Sequence, residues 1–182
     1  MFRFSLIFFL TILTSFSNAE IKDKIIDNLK NTNNLDFKFE QNVNGKIENG
    51  NCTIEYPKKI FCEYARRNNK VLVSNGKSLV IKTTSSYYRY PIQKTPLNFI
   101  LDKNFLINKI YSLEEKIIDD SYISYSIIEN ENKTEVFFDV ISLELIGWQT
   151  KDIYQNTSLT ILSSISKNQK IKKKLFNLPV QN

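Results

Sequence analysis

The stretch of sequence that decides the fold runs from Gly50 to Lys82. It reads Gly-Asn-Cys-Thr-Ile-Glu-Tyr-Pro-Lys-Lys-Ile-Phe-Cys-Glu-Tyr-Ala and then, beyond a polar connection, Val-Leu-Val-Ser-Asn-Gly-Lys-Ser-Leu-Val-Ile-Lys. These are four short strand-like runs, and Pro57 with the two lysines after it predicts the turn of a first hairpin. Asn75-Gly76 predicts a type I′ turn in a second hairpin, because both central residues of that turn need a positive φ. The stretch therefore predicts two consecutive hairpins of an antiparallel sheet.

The N-terminus has the pattern of a secretory signal peptide. Arg3 supplies a positive charge, an apolar run follows over residues 4–16, and Ala19 is a small residue at the expected cleavage point. The run is short for a membrane span, although an uncleaved anchor is the alternative. We expect residues 1–19 to be removed and residues 20–182 to form a single domain. The first mature residue would not be an acylatable cysteine, which favours an exported, soluble protein without a lipid anchor.

The composition excludes several classes of enzyme. The chain has no histidine, two cysteines and four glycines, and the glycine spacing is unlike that of phosphate-binding loops. Ser-His-Asp and Cys-His catalysis and ordinary histidine-ligated zinc sites are therefore excluded. We expect a protein that is not an enzyme and that needs no cofactor or metal.

The formal net charge is +6, and part of the positive excess is concentrated near the C-terminus. Lys167, Lys170, Lys172, Lys173 and Lys174 form a basic stretch there. The plain interpretation is a solvated surface, and the functional one is attraction to an acidic partner or to anionic lipid headgroups. The chain carries no nucleic-acid-binding motif, so we expect no nucleic acid partner.

Apolar periodicity predicts further elements outside the two hairpins. An apolar stripe predicts a helix over residues 21–31, and strict alternation predicts a strand over residues 35–43. Thr95 is placed to cap a short helix whose first residue is Pro96. A second helical turn is predicted over residues 104–111. Four more strands are predicted over residues 122–129, 134–140, 143–151 and 157–166.

These markers together resemble the periplasmic outer-membrane lipoprotein carrier family (LolA-like). The family opens with a helix followed by Phe-x-Phe-x-Gln, here Phe37–Gln41, and continues with the two hairpins quoted above. A Thr-Pro-Leu helix at Thr95, a strand with Trp148 and a Leu-Phe…Pro segment over residues 175–179 follow in the family's order. The resemblance covers nearly all of the mature chain. It implies an α+β fold: an incomplete, half-open antiparallel β-barrel with a lid of short α-helices over an apolar cavity.

The resemblance also implies which side chains would bind lipid. Candidates for the cavity lining are the expected inward positions of the alternating strands, and candidates for the lid are apolar positions of the helices. The lining set is Phe37, Phe39, Ile54, Tyr64, Leu72, Leu79, Ile81, Phe138, Leu145, Trp148, Leu159 and Ile161. The lid set is Ile25, Leu29, Leu97, Ile100 and Leu101. Ordinary core packing is the alternative for each residue, and an error of one residue in register would move a strand's whole set to the other face.

The two cysteines lie symmetrically about the Pro57 turn. Cys52 and Cys62 would then face each other across the first hairpin, and an oxidising periplasm favours a disulfide between them. The alternative is two free thiols that pack as small apolar residues.

Tyr56 is a departure from the family's pattern. Members often carry a basic residue directly before the proline, and in the better-known ones that arginine helps to hold the lid shut. Two substitutes are open here: a lysine at Lys58 or Lys59, or a hydrogen bond from the Tyr56 hydroxyl to lid backbone.

The family's function implies a periplasmic chaperone that binds the acyl chains of lipoproteins released from the inner membrane. Its partners would be acylated lipoproteins as cargo, an inner-membrane lipoprotein-releasing ABC transporter and an outer-membrane lipoprotein acceptor, and the chain would act as a monomer. The alternative is a carrier or sensor of another lipid or lipoprotein signal on the same half-barrel. Because a lid that closes on the empty sheet would compete with lipid, we expect the unloaded protein to be closed.

Overall fold

The computed structural model describes residues 18–65, 68–118, 121–129, 132–151 and 156–181. The predicted signal peptide lies almost wholly outside these residues, so its removal stays a prediction. The strands are β1 Asn34–Val43, β2 Lys46–Glu55, β3 Lys59–Tyr64, β4 Val71–Asn75, β5 Ser78–Lys82, β6 Tyr87–Pro91, β7 Lys116–Ile118, β8 Tyr122–Glu129, β9 Asn132–Asp139, β10 Leu145–Lys151 and β11 Thr157–Lys167. The helices are α1 Asn18–Lys30, α2 Leu97–Ile100 and α3 Lys103–Ser112, with a 3₁₀ turn over Ile92–Lys94.

All these strands belong to one sheet, in which every pair is antiparallel. The strand order is β6-β5-β4-β3-β2-β1-β11-β10-β9-β8-β7, so neighbours in sequence are neighbours in space except where β1 pairs with β11. β6 and β7 form the two edges and do not pair with each other, and the barrel therefore stays open. With the helices, this is the α+β half-barrel that the sequence predicted, and the fold prediction is confirmed.

The first predicted hairpin forms with the expected pairing. Ile54 lies opposite Ile60, and the chain turns through a cis bond between Tyr56 and Pro57. Gly50 is required near the far end of this hairpin, because a Cβ at its position would lie 2.0 Å from the carbonyl oxygen of Glu63.

The second hairpin forms, but its turn differs from the prediction. Asn75 ends β4 and Ser78 begins β5, so the central residues of the turn are Gly76 and Lys77. Gly76 has φ +92° whereas Lys77 has no positive φ, and a glycine at the first central position is typical of type II′. The Asn75 side chain instead accepts the backbone N–H groups of Lys77 and Ser78, each at 3.0 Å.

The helices are close to the predicted ones, with different ends. Thr95 does not cap α2 with its side chain, because its hydroxyl donates to the carbonyl of Ile92 at 2.8 Å. The predicted second helical turn is the full helix α3, which Asp102 caps by accepting the N–H of Phe105 at 3.1 Å. None of the helices in the described part of the chain combines the length and the apolar character needed to cross a membrane.

One hydrophobic core fills the space between the helices and one face of the sheet. Ile25, Ile26 and Leu29 of α1 pack in the same cluster as Leu106 and Ile110 of α3 and the inward side chains of the strands. We call the sheet face toward this core the inner face and the opposite one the outer face.

The C-terminal segment 168–181 leaves β11 and runs along the outer face. Ile171 and Leu175 help to line a groove of about 450 Å³ there, together with outward side chains of β1, β2 and β3 such as Asp36 and Phe61. The far end of the segment is fixed at β5, where the Lys82 ammonium donates to the carbonyl of Val180 at 2.8 Å.

Candidate functional site

The strand register places ten of the twelve expected lining residues on the inner face. Phe37 lies opposite Cys52, Leu72 opposite Ile81, and Leu145 opposite Phe138. Residues directly opposite each other point to the same face of the sheet. Seven of the ten are buried: Phe37, Phe39, Ile54, Leu79, Phe138, Leu145 and Trp148. Tyr64 and Leu72 pack against the same core with part of their surface exposed, and Ile81 lies nearer the β6 edge.

Leu159 and Ile161 are the two exceptions, and their assignment to the lining is corrected. Leu159 pairs with Asn42 and Ile161 with Glu40, which are outward residues of β1, and Ile161 is 44% exposed. Thr160 and Leu162 occupy the inner positions of β11. The expectation was one residue out of register, which moves every side chain of a strand to the other face.

A bulge in β11 explains the pattern beyond Leu162. The register shifts between the pairs Lys38–Ser163 and Asp36–Ser166, and Ser164 has φ +51°. In a regular strand, residues three positions apart face opposite sides. The extra residue in the bulge lets both Leu162 and Ile165 face the core.

All five expected lid residues lie against the inner face. Ile25, Leu29, Ile100 and Leu101 are at most 4% exposed, and Leu97 is partly buried against the same cluster. The space detected between α1 and the sheet, beside Leu29 and Tyr56, measures about 20 Å³. A site of that size holds roughly one water molecule, far less than an acyl chain. The helices α1, α2 and α3, which we call the lid, therefore occupy the inner face in this structure.

The turn of the first hairpin contacts the lid directly. The backbone N–H of Lys58 donates to the carbonyl of Leu101 at 2.7 Å, and the Lys58 ammonium lies 3.3 Å from the carboxylate of Asp102. Lys59 pairs instead with Glu55 of its own hairpin at 2.8 Å. The Tyr56 hydroxyl is buried without a hydrogen-bond partner among the described residues, and this burial raises its pKa. Among the described residues, Lys58 is the substitute that makes polar contacts to the lid, whereas Tyr56 contacts it through its ring, over which the Lys103 ammonium lies at 6.0 Å.

Further polar contacts hold the helices to each other and to the second half of the sheet. The Lys103 ammonium of α3 donates to the carbonyl of Thr32, just beyond α1, at 2.8 Å. The Asn28 amide of α1 donates to the carbonyl of Leu143 at 3.1 Å. Lys109 of α3 pairs with Glu129 of β8 at 2.7 Å. The lid is thus held by apolar packing and by a few partly exposed polar contacts at its rim.

The two cysteines are joined in a disulfide on the inner face. Cys52 and Cys62 are directly opposite each other in the β2–β3 register, with Cα atoms 4.1 Å apart. Both are buried in the core cluster. The covalent bond therefore lies beneath the lid and fixes the hairpin that contacts it.

A polar group of residues at the other end of the inner face was not anticipated from the sequence. Tyr125 of β8 is fully buried, and Glu115, between α3 and β7, is 7% exposed in its side chain. Lys22 of α1 lies 3.8 Å from the Glu115 carboxylate. The alternation of β8 could have placed Tyr125 on the inner face, but no local pattern connects it with Glu115 or Lys22.

A comparison with family models gives one family. The model described as outer membrane lipoprotein carrier protein LolA matches residues 30–179. No curated sequence relative matches the chain significantly.

Solved structures share the fold at low sequence identity. An uncharacterized conserved protein from Thermus thermophilus aligns with a TM-score of 0.51 and 8% identity over 88% of this chain and 93% of that chain. A putative outer membrane lipoprotein-sorting protein domain from Vibrio parahaemolyticus gives 0.50 and 8% over 87% and 95%. MucB gives 0.50 and 6% over 89% of this chain, which spans only 62% of the MucB chain. At these identities the likeness shows the fold alone.

Proposed function

The chain belongs to the outer membrane lipoprotein carrier family, and on this premise we propose that it is a periplasmic carrier of acylated lipoproteins. It would take its cargo from an inner-membrane lipoprotein-releasing ABC transporter and give it to an outer-membrane lipoprotein acceptor. It would act as a monomer, without catalysis and without a cofactor. The alternative from the sequence, a carrier or sensor of another lipid or lipoprotein signal, uses the same fold, and the assay below separates the two.

The observation that supports the proposal most is the continuous apolar inner face under a closed set of helices. Side chains from Phe39 on β1 to Phe138 on β9 belong to one cluster with the lid residues. Helices that cover one face of an antiparallel sheet are common in α+β proteins. Here two of the three helices have ten residues or fewer, and their polar contacts lie at the rim. Such a cover is suited to an inner face that exchanges helices for acyl chains.

The energetics of acyl chains make this exchange useful. Each buried CH₂ group is worth about 0.8 kcal/mol, so leaving one long acyl chain in water costs on the order of 10 kcal/mol. The inner face can remove that cost only after the helices move away. Because the closed lid covers the same apolar surface, its closure competes with lipid and lowers the net affinity. A downstream acceptor can then remove the cargo.

A release assay tests the function. The purified protein is added to spheroplasts that make labelled lipoproteins, and the soluble fraction is examined for a one-to-one complex with acylated lipoprotein. A soluble complex is the expected result. If no complex forms while the folded protein binds other lipids, the alternative function replaces the proposed one.

A matched pair of variants connects the assay to the inner face. Leu97→Asp places a charge on a partly buried lid residue, and Ile161→Asp places the same charge on the outer face, where the native side chain is 44% exposed. We expect the Leu97 variant to fold and to lose most of its lipoprotein release, whereas the Ile161 variant keeps it. Equal release by both variants would contradict a lid role for α2.

A further inference from the structure

Two buried polar atoms near the β7–β8 end of the inner face have no partner among the described residues. They are the hydroxyl of Tyr125, whose side chain is fully buried, and the Oε1 atom of Glu115. The other carboxylate oxygen, Oε2, lies 3.8 Å from the ammonium of Lys22, which itself donates to the carbonyl of Leu113 at 2.7 Å. Tyr125 lies on β8, and Glu115 directly precedes β7, the strand next to β8 in the sheet.

The strand register places the two residues side by side: Lys116 at the start of β7 lies opposite Ser124, so the same register continued by one residue sets Glu115 beside Tyr125. Burial raises the pKa of the Tyr125 hydroxyl, and the negative charge of Glu115 raises it further. The hydroxyl is therefore a protonated donor, and the carboxylate is an acceptor whose charge Lys22 offsets. Buried polar groups are nearly always paired, so an unpaired donor beside an unpaired acceptor requires an explanation.

A ligand that replaces the helices on this end of the inner face would meet both groups. To satisfy them together it must present one acceptor to Tyr125 and one donor to Glu115. A secondary amide does so in a single planar group, with its carbonyl toward the hydroxyl and its N–H toward the carboxylate. An ester offers the carbonyl and no donor.

Apolar side chains surround this polar pair on the inner face. Ile123 and Ile127 precede and follow Tyr125 on the inward side of β8, and the Phe138 ring stacks edge-on to the Tyr125 ring at 6.0 Å. An amide at this place would therefore be flanked by surface suited to a hydrocarbon chain.

We propose that Tyr125 and Glu115 form a subsite for the amide group that joins an acyl chain to its carrier molecule. The proposal rests on the proposed function, because it needs a lipid on the inner face. It adds a specificity: amide-linked chains bind better than ester-linked chains of the same length.

The test compares two neutral probes of equal chain length, N-methylpalmitamide and methyl palmitate. Their affinities for the protein are measured by displacement of a fluorescent acyl probe. We expect the wild-type protein to favour the amide by about tenfold, since a hydrogen bond to a charged group contributes that order of affinity. Tyr125→Phe and Glu115→Leu should each reduce the preference to less than about threefold while leaving the affinity for the ester nearly unchanged.

Tyr111→Phe is the matched control, because that hydroxyl lies on a side chain that is 54% exposed. It should keep the full preference. Tyr125→Phe removes a buried hydroxyl that has no partner among the described residues, so the empty protein should fold with an unchanged or higher melting temperature. A role in stability alone would lower that temperature and leave the preference for the amide intact.

The outcomes separate the subsite from the function. Equal binding of both probes by the wild-type protein overturns the subsite, leaves lipid binding in place and indicates a trapped water between the two groups. A preference that survives both substitutions also overturns it. Failure of the wild-type protein to bind either probe contradicts the carrier function itself, and the subsite with it.

Discussion

The β2–β3 hairpin and the β8–β9 hairpin occupy opposite halves of the same sheet, and their inner faces differ. The first is closed covalently by Cys52–Cys62, with Ile54 and Ile60 beside the bond, and the inward hydroxyl of its Tyr64 is paired, donating to the Gln41 side chain at 3.1 Å. The second has no cross-link, since both cysteines of the chain are in the first. Its inner face mixes apolar side chains with Tyr125 and Thr134, whose buried hydroxyls lack partners among the described residues.

This difference suggests that the two halves of the sheet have different roles. A cross-linked apolar hairpin keeps its shape when the lid leaves, and its turn carries the Lys58 contacts that the lid returns to. Each buried unpaired hydroxyl costs free energy. The first hairpin has one, that of Tyr56 at its turn, and is cross-linked, whereas the second has two on its strands and no cross-link, so we expect the second to be less stable when empty. The first half therefore fits the role of a scaffold and the second that of a surface completed by ligand.

Reduction of the disulfide should produce the largest effect. The bond closes a loop with a sequence separation of 10, and in the chain-entropy model this contributes about 2.5–3 kcal/mol to the free energy of unfolding. Urea denaturation of oxidised and reduced protein measures the difference. The double variant Cys52→Ala/Cys62→Ala is the control and should not respond to reductant. A free energy of unfolding that reduction leaves unchanged would remove the scaffold role of the first hairpin.

Thr134→Val tests the second hairpin, and this substitution should stabilise the protein. The Thr134 hydroxyl is buried without a partner among the described residues, so a methyl group of similar shape should raise the free energy of unfolding by about 1 kcal/mol. Thr32→Val is the matched control, because the Thr32 hydroxyl donates to the carbonyl of Asn28 at 2.7 Å. That variant should lose about 1 kcal/mol. Destabilisation by both substitutions would show that Thr134 has a partner in solution.

Lys58→Met should loosen the lid with a smaller effect on global stability. Lys58 and Asp102 are both about one-quarter exposed, so their ion pair contributes about 0.5–1 kcal/mol. Hydrogen exchange of the backbone amide of residue 58 reports lid opening directly, because that amide donates to the carbonyl of Leu101. We expect its exchange to quicken about two- to fivefold. Lys59→Met, which breaks a pair within the hairpin, should leave this exchange unchanged.

The first half of the sheet could be predicted from the sequence because two independent signals agree there. Alternation assigns a face to Phe37, Phe39 and Ile54, and the turn residues at Pro57 and Gly76 then fix the register of their partners. Even there the turn type was wrong, because Asn75 uses its side chain to accept backbone N–H groups and leaves the positive φ to Gly76 alone.

The second half could be predicted less well because its local signals conflict or are missing. In β11, the apolar residues Leu159, Ile161 and Leu162 stand at both odd and even positions, so alternation does not show which face is buried. The bulge at Ser164 then reverses which positions face inward. The subsite at Tyr125 depends on a helix residue and a loop residue that only the fold brings near β8. Contacts between residues on different elements produce no periodic pattern in the sequence.

The smallest predicted effect concerns the turn that ends the β8–β9 half. The Asp139 carboxylate accepts the backbone N–H groups of Ile141 at 3.0 Å and Ser142 at 2.6 Å, and the bonds from Ser142 contribute most to holding its pKa below the usual range. A group with a lowered pKa stabilises the folded state above its unfolded pKa of about 3.9 and loses that contribution as the pH falls through the folded pKa.

Since the carboxylate of Asp139 is largely solvated, its contribution should stay below about 0.5 kcal/mol. Asp139→Asn should therefore reduce the loss of stability between about pH 5 and pH 2 by no more than this amount, measured by urea denaturation at each pH. If the variant and the wild-type protein lose stability identically, the turn does not brace the second hairpin, and packing and the rim contacts of Asn28 and Lys109 are what hold that half.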